Sequence, residues 1–316
     1  MRCAVFRASA RSLAVVAAMT VVVAASCRPS SEIRPAFTKE SEARSGVLQG
    51  TVFFTGRQDS TSRVFRMDLS DLGRAELASP SGVEERSPAL SPDGRKLATA
   101  VIGRKGRNGI YVRSASGGGL TAVVADVGVF DYPSWSPDGR SLVYARADGP
   151  DDDWDLYVVG ADGESERRIT RDRTNEWSPA WSPRGDKIAY TSDADGDPAI
   201  WLYDVGSESS RKIVDGRGAD TQPTWSPDGQ TVLYSSDREE ERWQLFVYDL
   251  EAGRERRLLR TNGMDRYPAW SPDGRYILVS DGSLSVYRTD GERFPGGADR
   301  WKVGSRLALS SEWSAR

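Results

Sequence analysis

Carboxylates recur at one place in this sequence. Glu85, Glu176, Asp220 and Asp265 each stand five residues ahead of a large apolar residue (Leu90, Trp181, Trp225, Trp270), and Asp131 stands four ahead of Trp135. Acids gathered at one register could bind a cation or a basic or polar segment of a partner. A pair of them could also act as general acid and base on a glycoside, chemistry that needs no histidine. Each could equally accept local backbone N–H bonds and order its own loop. A second acidic feature is Asp193-Ala194-Asp195-Gly196-Asp197, with a companion at 148–153. Asp193, Asp195 and Asp197 are weak calcium candidates, because the run lacks the Glu that closes such a loop at position 12, and a turn built from Asp and Gly explains it as well.

Other chemistry is excluded by composition. The 316 residues contain no histidine, which removes the commonest general base, the commonest zinc ligand and every Ser-His-Asp or Cys-His arrangement. The two cysteines, Cys3 and Cys27, sit at the N-terminus, so no disulfide framework or cysteine metal site falls further along the chain. A formal charge of −3 without a basic stripe argues against a nucleic-acid partner. Gly117-Gly118-Gly119 lies between strand candidates rather than ahead of a helix, so it does not read as a phosphate loop, and no cofactor is expected.

The acids are spaced by a repeat. Tyr267-Pro268-Ala269-Trp270-Ser271-Pro272-Asp273-Gly274 has near copies beginning at Ser87, Tyr132, Ser178 and Gln222, and their Ser-Pro prolines are 45, 46, 44 and 45 residues apart. A fixed period of this length marks a repeat architecture. Ser-Pro-Asp-Gly makes a turn: proline presets φ, Asp tolerates the next position and Gly supplies the positive φ that leads into a hairpin. In one copy Arg184 replaces the Asp, giving Arg184-Gly185-Asp186, which reads as a turn variant. Second strands follow at 96–100, 141–145, 187–192, 231–236 and 276–280, third strands centre on Tyr111, Tyr157, Trp201, Phe246 and Val286, and fourth strands are expected at segments such as 168–170 and 257–259. Four strands per unit describe the blade of a β-propeller.

Both ends enter the count. Residues 51–55, 64–69 and 76–78 match second, third and fourth strands, so the N-terminal unit lacks its first. Trp313-Ser314 falls 43 residues after Trp270-Ser271, where a sixth Trp-Ser is due. The expectation is an all-β, six-bladed propeller of four-stranded antiparallel blades, its ring closed by the C-terminal strand, which leaves no free sheet edge there. Small residues (Ala89, Ser134, Ala180, Thr224, Ala269) precede the Trp position, which suits packing towards an axis and assigns the tryptophans to the wedge between blades; Glu312 is the exception.

The Pro-x-Trp-Ser-Pro-Asp-Gly unit, Ile-Ala-Tyr at 188–190, Ile-Tyr-Val at 110–112 and Arg-Ile-Thr at 168–170 together resemble the repeat of TolB-type propellers, over residues 48–316. The resemblance implies a scaffold that receives a protein or peptide at the mouth of its central channel. Residues 28–47 are too few and too polar for the α/β domain that precedes the propeller in TolB, and the catalytic domain of prolyl-oligopeptidase relatives is also missing, so the propeller alone is expected.

Residues 1–12 are basic, 13–25 are apolar, and Ala24-Ala25-Ser26-Cys27 resembles a bacterial lipobox. That resemblance implies cleavage before Cys27 and a lipid on its sulfur; Arg28, where an Asp would mark inner-membrane retention, points to the outer membrane. An ordinary export signal is the alternative. The expected domains are therefore a signal at 1–26, a lipidated Cys27 with a flexible tether to residue 47, and a propeller at 48–316. The whole reads as a monomeric, non-enzymatic binding lipoprotein of the cell envelope, facing the periplasm or the cell surface. The alternatives are a carbohydrate-active propeller using rim carboxylates and a calcium-stabilised glycan scaffold.

Overall fold

The computed structural model describes residues 50–58, 61–69, 75–77, 83–103, 108–171, 173–239, 242–259, 265–280, 283–290, 301–305 and 311–314. The segments expected to be an export signal and a tether, with Cys3 and Cys27, lie outside these residues.

The described residues form strands throughout. β1 (Thr51–Gln58), β2 (Thr61–Asp68) and β3 (Ala75–Leu77) open the chain. Five runs of four consecutive strands follow, each forming one antiparallel sheet. The first is β4 (Glu84–Leu90), β5 (Lys96–Ile102), β6 (Asn108–Ser114) and β7 (Thr121–Asp126). The second is β8 (Val129–Trp135), β9 (Ser141–Ala147), β10 (Asp155–Gly160) and β11 (Arg167–Arg168). The third is β12 (Glu176–Trp181), β13 (Lys187–Ser192), β14 (Ala199–Asp204) and β15 (Ser209–Lys212). The fourth is β16 (Asp220–Trp225), β17 (Thr231–Ser236), β18 (Gln244–Asp249) and β19 (Arg254–Arg257). The fifth is β20 (Arg266–Trp270), β21 (Tyr276–Ser280), β22 (Ser283–Arg288) and β23 (Trp301–Ser305). β24 (Ser311–Ser314) pairs antiparallel with β1, Val52 opposite Trp313, so a further four-stranded sheet runs β24-β1-β2-β3. The fold is an all-β propeller of four-stranded antiparallel blades.

The core lies between sheets. Second strands are buried along almost their whole length because both faces are covered; Tyr144 and Tyr234 are fully enclosed. Their hydroxyls donate to Glu166 and Glu255 at the blade edge, so neither ring buries an unsatisfied polar end. Two tryptophans lock neighbouring inner strands together: Trp135 Nε1 donates to the Ala89 carbonyl at 3.0 Å and Trp225 Nε1 to that of Ala180 at 2.9 Å. These two tryptophans thus join ring packing to a blade-to-blade hydrogen bond, which fixes rotation as well as distance. Trp181 Nε1 instead donates to Gly185 O of its own turn at 3.3 Å.

The turns repeat to within a few tenths of an ångström. Gly94 N donates to Ser91 O at 2.8 Å, and Gly94 has φ 70°, the left-handed value for which the glycine is needed. The Ser91 hydroxyl donates to Asp93 Oδ1 at 2.6 Å and accepts from Lys96 N at 2.8 Å. Ser136/Asp138, Ser226/Asp228 and Ser271/Asp273 repeat this arrangement. The Asp therefore does more than tolerate its position, since its carboxylate caps the turn.

Fourth strands lie earlier than the sequence pattern suggested. β11 ends at Arg168 and β19 at Arg257, whereas the expected segments were 168–170 and 257–259. The outer strands β11, β15 and β19 are mostly solvent-facing and built from Arg, Glu, Ser and Lys, which suits an exposed edge. The apolar residues just beyond, Ile169, Leu258 and Leu259, turn back onto the core clusters.

Candidate functional site

An axial cavity of about 360 Å³ is lined by the inner strands β4, β8, β12 and β16 and by the start of β20. Its wall is built from Ser, Pro, Ala, Leu, Tyr, Trp, Gln and Thr, and every lining residue is uncharged. The wall owes its shape to a β-bulge repeated in each of these strands. Ser87-Pro88, Tyr132-Pro133, Ser178-Pro179, Gln222-Pro223 and Tyr267-Pro268 each place two residues opposite one on the second strand. The proline falls where the ladder needs no N–H.

The residue before each proline adopts φ between 50° and 58°, a left-handed conformation that costs a side-chain-bearing residue about 1–2 kcal/mol. Five such residues at one register, all on the wall of one cavity, are the densest concentration of backbone strain among the described residues. Neighbouring side chains take up the freed N–H groups: Ser87 N donates to Thr55 Oγ1 at 3.0 Å, Gln222 N to Thr191 Oγ1 at 3.2 Å, and Tyr267 N to Gln222 Oε1 at 2.9 Å. Burial, with Asp131 and Tyr267 nearby, holds the Tyr132 phenol well above its usual range, so it stays a neutral donor. The sequence carried a sign of these positions, since Ser, Tyr or Gln stands ahead of a proline that every copy keeps.

The five acids lie behind this wall, not on it. None lines the cavity, and all are buried. Their partners differ from blade to blade. Glu85, 0 % exposed, pairs with Arg113 Nη2 of β6 at 3.2 Å. Burial lowers the Arg113 pKa, against the pull of Glu85. Asp131 joins two blades, accepting from Ser87 Oγ at 2.6 Å and from Tyr132 N at 2.8 Å, with Arg86 Nε 3.0 Å away. Asp220 meets Arg238 Nη2 at 2.7 Å, and the same guanidinium reaches Glu255 at 2.5 Å and sits 4.7 Å over Phe246. Burial raises Asp220 despite Arg238. Asp265 accepts from the Tyr287 hydroxyl at 3.1 Å. Glu176 accepts at Oε1 from Thr174 at 2.6 Å and Ser192 at 3.1 Å, and burial pushes it up to about 7. The arrangement expected from sequence, acids presented at the mouth, gives way to acids that tie strand ends together. The inner-strand register that gathers them also turns them inward.

The loop at 193–197 is likewise committed to local contacts. Asp193 accepts from Asn175 N at 2.8 Å and Asn175 Nδ2 at 2.9 Å, and Asp195 pairs with Lys212 Nζ at 2.8 Å. Among the described residues no three acids converge as a cation site.

The TolB beta propeller domain matches residues 145–316. A protein TolB homolog of Chlorobium luteolum is 27% identical over 162 residues, 51% of this chain and 36% of that protein. The chain spans between about a quarter and little more than a third of the curated relatives it matches. Among solved structures, TolB from Acinetobacter baumannii superposes with TM-score 0.71 at 22% identity, over 84% of this chain and 67% of that one. An oligogalacturonate lyase in complex with manganese gives 0.55 at 19%, over 72% and 70%. Both structural likenesses concern the fold. The repeated bulges and turns and the extent of the family match lead to one conclusion: the chain belongs to the TolB beta propeller domain family.

Proposed function

We propose that this chain is a non-enzymatic propeller that captures an uncharged peptide segment of a protein partner in its axial channel, held at the cell envelope by a lipid on Cys27. The uncharged wall carries the reading: a cavity of about 360 Å³ faced by Tyr132, Tyr267, Gln222 and Trp225 offers ring faces and amide hydrogen bonds. A charged segment would lose its hydration there with no counter-ion on the wall. Preset backbone strain serves such a site, because the wall need not reorganise on binding. In this reading the buried acids position the strand ends that frame the channel, so they act on a partner only through that frame.

The test is affinity capture from envelope extract with wild type and with Tyr132→Ala/Tyr267→Ala. One partner lost by the double variant, with unchanged melting, supports the channel. Equal capture by both chains moves the site to another surface.

The envelope location rests on the export-signal pattern of residues 1–26 and the lipobox-like end at Cys27. Cys27→Ser should move the protein from the membrane to the soluble fraction; retention would remove the lipid anchor from this reading. The ring is read as six-bladed and closed by β24, whose pairing with β1 supports it. Deletion of 308–316 should abolish cooperative unfolding, and an unchanged transition would place closure elsewhere.

A second reading, a carbohydrate-active propeller, draws on the fold likeness to oligogalacturonate lyase. It fits less well, since the rim carboxylates it needs are buried and committed to other contacts. Turnover of oligogalacturonate by the purified chain, with and without manganese, decides between the two.

A further inference from the structure

Four of the five inner-strand acids have an evident means of holding their charge or a phenol to share it. Glu85 has Arg113, Asp131 has Arg86, Asp220 has Arg238, and Asp265 has the Tyr287 hydroxyl. Glu176 differs. It is 2 % exposed, its Oε1 is held by two hydroxyls, and its Oε2 is buried without a hydrogen-bond partner. Among the described residues no arginine or lysine reaches it.

The charged groups on the elements packed around it are spoken for. From β10, Asp155 faces Glu176, and its charge is met by Arg168 of β11 at 2.5 Å. β9 carries Arg146, which is engaged with Asp126, Asp148 and Glu166. β13 carries Lys187 at its far end, paired with Asp186 and Asp204, and after its near end Asp193 is held by Asn175. The flanking inner strands β8 and β16 carry Asp131 and Asp220, each with its own arginine. Tyr132 of β8 is held neutral, and Arg171 and Arg173 on the loop leading into β12 are exposed to water.

We propose that Glu176 is a proton-operated latch: as the neutral acid it lets the start of β12 stay packed, and on ionisation it loosens residues 174–178, including Ser178 on the channel wall. A lone carboxylate in this environment cannot ionise without hydration or a cation, and the segment around it is what must move to admit either. The shift of the group towards neutrality agrees in direction, because burial is its largest cause and Asp155 adds to it. The folded chain therefore holds a proton that the unfolded chain has already released. Stability from this group is complete below the unfolded value of 4.5 and is lost as pH rises through about 7. The latch is a property of the blade and does not depend on what the channel binds.

The experiment compares urea unfolding of the full chain and of Glu176→Gln between pH 5 and 8.5. Wild type should lose stability across this range relative to the variant, by up to roughly 100-fold in the unfolding constant. The amide, which carries no charge, should run nearly level with the channel unaltered. Parallel profiles for the two chains would overturn the proposal. Should Glu176→Gln fail to fold, amide exchange in wild type serves instead. Protection at 174–178 that falls between pH 6 and 8, after correction for intrinsic rates, supports the latch; constant protection overturns it.

Discussion

Four of the five full repeats carry acids at two positions, and the two are used in opposite ways. The turn acids Asp93, Asp138, Asp228 and Asp273 make the same bonds each time, a serine hydroxyl at 2.6 Å and a backbone N–H at 2.9–3.1 Å. The inner-strand acids Glu85, Asp131, Glu176, Asp220 and Asp265 are buried, and no two share the same set of partners. The difference follows from where each set is satisfied. A turn closes on itself within five residues, so a copied sequence reproduces it. An inner-strand acid is satisfied by whatever its own or the next blade supplies, so each copy had to find a separate solution. Uniform geometry marks what makes a blade, and divergent geometry marks what makes this molecule.

The largest effect should come from breaking one of the divergent solutions. Arg113→Ala leaves Glu85 buried beside an empty guanidinium site, with both side chains at most 1 % exposed, and should cost about 3–5 kcal/mol in urea unfolding. Replacing both partners, Arg113→Met with Glu85→Leu, should recover most of that loss, which separates the cost of removing one partner from the worth of the pair. A smaller effect of opposite sign is expected at the channel wall. Ser178→Gly removes a side chain from a left-handed position and a hydroxyl that is buried without a hydrogen-bond partner, so stability should rise by about 1 kcal/mol. The smallest effect belongs to the turns. Asp93, Asp138 and Asp228 are held below the ordinary carboxylate range, first by the serine hydroxyl and then by the backbone N–H, so their stabilisation is present above the unfolded value of 3.8 and fades as pH falls through the folded one. Asp228→Asn should flatten only the acid limb of the stability profile below pH 4. A change at neutral pH as large as that of Arg113→Ala would erase the contrast between the two rings.

Much of the scaffold was legible because its determinants are local. Pro92 and Gly94 fix a turn within one repeat, Trp135 marks the wedge to the repeat before it, and the second strands begin at the predicted residues Lys96, Ser141, Lys187, Thr231 and Tyr276. The fourth strands were misplaced because an exposed edge has no apolar period to read, and Ile169 and Leu258 mimic one a step too late. The register of the inner-strand acids was visible, yet their direction was not. The bulge at Tyr132-Pro133 and its counterparts reverses which side chains meet the axis, and no alternation of polar and apolar residues signals an extra residue.

Arg184 shows what happens when a local solution is given up. Standing where the other turns carry an Asp, it sends Nε to the carbonyl of Asp228 at 3.0 Å, in the next blade, and its stem fills the space over Gly229. Its own turn is still closed by Gly185 N on Ser182 O at 2.9 Å. One substitution has thus converted a self-contained unit into one that leans on its successor. In a stack of quasi-independent repeats such a strut raises the coupling between two neighbours, so the third and fourth four-strand runs should open together rather than one at a time.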